Sequence, residues 1–119
     1  MQTAILRVAL LMSNAQTLLE LEEILKSHYS SLLILTERVK LLEFDIPFIV
    51  VVDSMQELSE VKRLPLPEAS SVLLVAFPSD SEMISVAFEL GATDFLSHPF
   101  EAREVVAKVE KYLQAFRSE

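Results

Sequence analysis

Apolar residues gather in five short runs, at positions 4–12, 31–35, 47–53, 71–77 and 93–96. Each run is followed by a segment with helical spacing or a helix-start signal, so the pattern predicts strand and helix in five-fold alternation. The first helix is predicted to begin at Ser13-Asn14-Ala15-Gln16, an S-x-x-Q capping box, and to place Leu18, Leu21 and Leu25 on one face. The fourth repeats the device with Ser79-Asp80-Ser81-Glu82. Its residues Met83, Val86, Ala87 and Leu90 recur at i, i+3, i+4 and i+7 and are assigned to the core. Ile84 and Phe88 stand roughly 100–150° round from that stripe, one turn apart, where solvent is expected. Past Pro99, the fifth helix repeats Ala102, Val106, Val109 and Leu113, with Val105 and Tyr112 widening the stripe. The second and third helices are short: residues 37–43 make barely two turns, and residues 56–63 stop before Pro65 and Pro67. Gly91, the only glycine, ends the fourth helix as a C-cap, where a left-handed residue costs least.

Strands that alternate with helices imply a parallel sheet with right-handed crossovers and helices on both faces, an α/β three-layer sandwich. In such sheets chemistry gathers beyond the carboxyl ends of the strands. One domain over residues 1–119 accounts for the chain, with no linker, repeat or low-complexity segment. A net charge of −8 opposes contact with nucleic acid or an anionic membrane. No apolar run reaches membrane-spanning length and no secretory leader is legible, so a cytoplasmic location is expected. His28 and His98 lie far apart with no ligand cluster around either, which gives no metal site. No glycine-rich phosphate loop and no Ser/His/Asp or Cys/His set is present, so a non-enzymatic protein without a cofactor is expected.

The run Gly91-Ala92-Thr93-Asp94-Phe95-Leu96-Ser97-His98-Pro99-Phe100 resembles the last strand region of CheY-like receiver domains of response regulators, which usually read G-A-x-D-(Y/F)-(L/I)-x-K-P-F. Phe48-Ile49-Val50-Val51-Val52-Asp53 resembles their third strand, with Asp53 in the phosphoacceptor place. The resemblance implies a flavodoxin-like (βα)5 fold with strand order 2-1-3-4-5 and a cis His98–Pro99 bond. It also implies where the switch chemistry stands, and there the chain departs from the family. The acidic pair that helps hold Mg²⁺ falls on Met12 and Ser13, the phosphoryl-sensing hydroxyl on Ala76, and the lysine on His98. Phe95 stands where a switching aromatic lies.

These departures identify a degenerate pseudo-receiver, expected to signal by protein contact without Mg²⁺-dependent phosphorylation. The alternatives are a working receiver phosphorylated on Asp53 with Mg²⁺, and a flavodoxin-like ligand-binding domain. Asp53 reads either as a phosphoacceptor or as a polar strand end bonded to a neighbouring amide or to His98. His98 reads either as a pH sensor paired with Asp53 or as a partly exposed polar residue before a turn. The face made by the fourth helix, fifth strand and fifth helix is the candidate interface. Ile84, Phe88 and Phe95 converge there, and Val105 and Tyr112 extend the patch. Arg103, Lys108 and Lys111 oppose Glu82, Glu89 and Asp94, a complementarity suited to a two-fold axis. Scattered exposed apolar residues and a solvated mixed-charge face are the plain alternatives. A homodimer or a protein partner is expected on this face, with an output domain possible beyond residue 119.

Overall fold

The valine-, leucine- and isoleucine-rich runs form one five-stranded parallel sheet. The strands are β1 (Leu6–Leu11), β2 (Leu32–Leu35), β3 (Ile49–Val52), β4 (Ser71–Ala76) and β5 (Asp94–Ser97), in spatial order β2-β1-β3-β4-β5. The computed structural model describes residues 5–77 and 81–117. Position 4, expected to open the first strand, and Ser79 and Asp80, expected to cap the fourth helix, lie outside the described residues.

Alternate strand residues serve opposite layers, as the pleat requires. Leu6, Val8, Leu10, Ile49, Val51, Leu73, Val75 and Leu96 pack beneath α1 (Ala15–His28) and α5 (Ala102–Arg117). Ala9, Leu11, Val50, Val52, Val72 and Leu74 pack beneath α2 (Arg38–Leu41), α3 (Met55–Lys62) and α4 (Ser81–Glu89). The expected three-layer flavodoxin-like sandwich is therefore the fold. Each fully buried leucine, such as Leu21 or Leu25 of α1, contributes about 1.5–3 kcal/mol of burial.

The third helix starts at a capping serine and stops before Pro65, while the second, Arg38–Leu41, is shorter than residues 37–43 and has no side-chain cap. Ser54 caps α3 by accepting the Glu57 N–H at 3.1 Å. At the end of α4, Ala92 N–H reaches the Ala87 carbonyl at 3.0 Å and Gly91 N–H the Phe88 carbonyl at 3.1 Å. Those two bonds are the Schellman pattern, and Gly91 sits at its left-handed position with φ 104°. The His98–Pro99 bond is cis.

Three expectations about faces are corrected. In α4, Ala87 is buried and Met83 packs against the same cluster, but Val86 and Leu90 are 47% and 46% exposed. The small Ala87 side chain makes a narrow contact with the sheet, and Leu90 lies past the last helical residue, in the turn that Gly91 allows. In α5 the core stripe is Val105, Val109 and Leu113, while Val106 is partly exposed and Ala102 exposed. Val105, at 1% exposure, belongs to the core and does not extend a surface patch.

Candidate functional site

β1 ends at Leu11 and β3 at Val52, so Met12, Ser13 and Asp53 emerge side by side at the carboxyl edge of the sheet. Asp53 is tied to the turn that leads into α1. Its Oδ1 accepts the Ser13 N–H at 3.0 Å and the Ser13 hydroxyl at 3.0 Å, and its Oδ2 accepts the Asn14 N–H at 2.9 Å. Ser13 is therefore not the helix cap. That place belongs to Asn14, whose Oδ1 accepts the Thr17 N–H at 3.0 Å. The bond to a neighbouring amide, one of the two structural readings of Asp53, is the one observed. A carboxylate in front of amides at a helix start is also favoured by the helix dipole.

The other switch positions do not join it. Met12 packs against the α1/α5 core cluster, and its neighbour at the strand edge is a polar hollow walled by Thr36, Glu37, Arg38 and Glu57. Ala76 is buried, and its carbonyl accepts the His98 N–H at 2.8 Å. The His98 imidazole lies between Phe77 and Phe100, with ring centroids 4.8 and 5.2 Å away. Its Nε2 stands 3.5 Å from Glu20 Oε2 of α1, with no hydrogen bond completed. Of the two readings of His98, the partly exposed polar residue is the one observed; the pairing with Asp53 is not present, because the aromatic pair holds the ring toward α1.

These residues do not fit Mg²⁺. A hard cation of that size takes several oxygen ligands in an octahedron. Met12 supplies none, Ser13 supplies a hydroxyl already donated to Asp53, and the Asp53 oxygens are occupied by amides. Among the described residues no three His, Cys, Asp or Glu side chains stand together as metal ligands.

The second expected site is better assembled. Phe88 of α4 meets Phe95 of β5 edge-on, centroids 6.5 Å apart, and Lys108 Nζ of α5 lies 4.0 Å from the Phe95 ring centre. Asp94 holds the group together: Lys108 Nζ lies 3.2 Å from its Oδ1, and the Tyr112 hydroxyl donates to Oδ2 at 2.7 Å. Burial alone would raise the Asp94 carboxyl. Hydrogen bonds from Tyr112, the Phe95 amide and Lys108 outweigh it and hold the group below its ordinary range. Burial and the bond to Asp94 push the Tyr112 phenol up to about 12. Lys108 and Asp94, expected to oppose one another between copies, are partners within one chain. Ile84 is partly exposed and Phe88 is 44% exposed. Arg103 is exposed at the start of α5.

Sequence reasoning missed Asn14, Glu20 and Glu104. Asn14 was legible as a cap in its own right. Nothing along the chain singled out Glu20, the partner of His98, or Glu104, whose Oε1 accepts the Ser97 N–H at 3.1 Å.

No protein-family model matches the sequence, and no curated protein matches it. Solved structures do share its fold. The N-terminal signal receiver domain of a two-component response regulator from Bacteroides fragilis superimposes with a TM-score of 0.70 at 21% identity, over 90% of this chain and 96% of that one. The signal receiver domain of an HD domain-containing protein from Pseudomonas fluorescens gives 0.73 at 17% identity, over 99% and 93%. NtrX from Brucella abortus gives 0.77 at 16% identity, over 96% of this chain but only 28% of NtrX, so this chain spans little more than a quarter of that protein. The receiver arrangement of the flavodoxin-like fold is shared by all three.

Proposed function

We propose that this domain is a signalling module of receiver fold that works by protein contact through the α4-β5-α5 face, without metal-dependent phosphoryl transfer to Asp53. The Asp53 cluster carries the reading. Both of its oxygens accept from the Ser13 and Asn14 amides, at the place where the resemblance puts carboxylates for a metal. Phosphoryl transfer needs positive charge on the developing oxyanions. Here His98 faces Glu20, and Met12, Ser13 and Ala76 bring no charge. The module in this reading is non-catalytic and cofactor-free, works in the cytoplasm, and touches neither nucleic acid nor membrane. Its partner is a second copy or a linked output module.

Titration with Mg²⁺ and beryllofluoride, followed by amide NMR, is the direct test. No saturable change is expected. A saturable change lost in Asp53→Asn, or a phosphoryl mass increment on the Asp53 peptide after phosphodonor treatment, supports the working-receiver alternative instead. The interface has a separate test. Ile84→Glu combined with Phe88→Glu is expected to shift sedimentation toward monomer with circular dichroism unchanged, and an unaltered oligomer removes α4 from the contact.

A further inference from the structure

The two edges of the sheet are finished differently. Across β4 and β5, Ala76 pairs with Ser97 and its carbonyl takes the His98 N–H, so Phe95 and Ser97 turn their backbone groups outward. Side chains close that edge. Asp94 Oδ1 accepts the Phe95 N–H at 2.8 Å, Lys108 donates to the Phe95 carbonyl, and Glu104 accepts the Ser97 N–H. At the opposite edge Leu6 pairs with Leu32, and its N–H goes to the Ser31 carbonyl at 3.0 Å, so Leu32 and Ile34 face outward. Among the described residues nothing bonds their N–H or C=O groups.

β2 is also the strand of the five that has no fully buried side chain. All four of its side chains are half-buried, and the helix that follows has only four residues and no side-chain cap. Ile5, Val39, Leu42 and Ile46 are each at least 39% exposed around it. At its amino end lies a groove of about 440 Å³ lined by Ile5, Arg7, Ser31, Leu32, Leu33 and Ile46. An unpaired strand beside an apolar groove is a template for a further strand. The charge around it selects the occupant. Around the groove Glu37, Glu43 and Asp45 are exposed, against Lys40 and the Arg7 that lines it and donates to the Pro47 carbonyl, while Arg38 is held by Glu60 at 2.9 Å, so acidic charge is in excess. The whole chain carries −8, which sets one copy against another and favours a basic segment.

We propose that the β2 edge docks an extended segment of a partner protein, which adds its backbone beside Leu32 and Ile34, seats an apolar side chain in the Ile5–Ile46 groove and carries flanking lysine or arginine. This surface is remote in sequence and sheet order from the α4-β5-α5 face, and it stands whether or not Asp53 accepts a phosphoryl group.

The test titrates isotope-labelled full chain with a capped peptide, Lys-Val-Thr-Val-Lys-Val, and reads amide shifts and hydrogen exchange. Shifts confined to the β2 region and slowed exchange at Leu32 and Ile34 are expected. A peptide N-methylated at alternate residues is expected not to bind. One with glutamate for lysine is expected to bind about tenfold more weakly. Ile34→Pro removes an outward donor without touching the β1 ladder and is expected to abolish binding; the N-methylated peptide makes the same test if that variant does not fold. Shifts elsewhere, no shifts, or equal binding of the N-methylated peptide overturn the proposal. Protection of Leu32 and Ile34 that rises with protein concentration in the absence of peptide also overturns it, by making a second copy the occupant.

Discussion

A carboxylate next to a backbone amide and a carboxylate next to a metal differ by what else is charged nearby, and Asp53 has only hydrogen-bond donors. Removing it in Asp53→Ala is expected to lower stability by about 1 kcal/mol, measured by chemical denaturation, because exposed amides regain water. Restoring acid at the neighbour, Ser13→Asp, is expected to cost stability by like-charge repulsion and to recover it on adding Mg²⁺; a variant indifferent to Mg²⁺ would show that the geometry itself is unsuited. Asp94 and Tyr112 define a pH dependence. The depressed Asp94 carboxyl contributes stability above the ordinary value of 3.8, lost as pH falls through its lower folded value. The Tyr112 phenol, raised from 10.0 to about 12, contributes stability that is complete below pH 10 and lost as pH climbs toward 12. Tyr112→Phe is expected to cost about 1.5–3 kcal/mol at neutral pH and to flatten that alkaline limb in denaturation curves. The types of residue at 12, 13, 53, 76 and 98 were legible along the chain. Their partners were not, since Glu20 reaches His98 only through the packing of α1 against α5, a contact with no local signature.

Among the elements, α4 shows why apolar spacing locates a helix better than it orients one. Its stripe placed Val86 and Leu90 inside, but the contact with the sheet runs through Met83 and Ala87, and the chain leaves the helix before Leu90. The glycine that ends it was legible because a left-handed residue with no side chain has few other uses. Gly91→Ala is expected to destabilise by about 1–2 kcal/mol for the left-handed conformation alone. A Cβ there would also come 2.7 Å from Lys62 Cε, so Lys62→Ala in the same chain relieves the crowding but not the backbone cost. Denaturation midpoints of the single and double variants separate the two terms. Strand positions were read to within two residues at either end where both ends are described, since runs of Val, Leu and Ile bounded by caps leave little choice of register. The short α2 was foreseen as weak, but not the exposure of β2 that follows from it.

At the scale of the whole molecule, layering followed from the alternation of elements and strand order from the family resemblance, and solved structures at 16–21% identity share both. Shared architecture at such low identity rests on the pattern of buried positions more than on particular residues. Surface charge is a property of the same scale. Binding of a basic segment at the β2 edge is expected to weaken as salt rises, whereas contacts through Phe88 and Phe95 are expected to be nearly insensitive, and affinities measured across salt concentrations distinguish the surfaces. The side chains that seal β5 set a further limit. A sheet open at both ends is a bifunctional monomer, able to grow into a filament by repeated strand addition. With Lys108 and Glu104 occupying one end, this sheet is monofunctional, and each addition at β2 terminates growth. Replacing both residues with alanine frees the Ser97 N–H and the Phe95 carbonyl but leaves the Phe95 N–H on Asp94, and is expected to speed hydrogen exchange at Ser97, read by amide NMR, with Phe95 still protected.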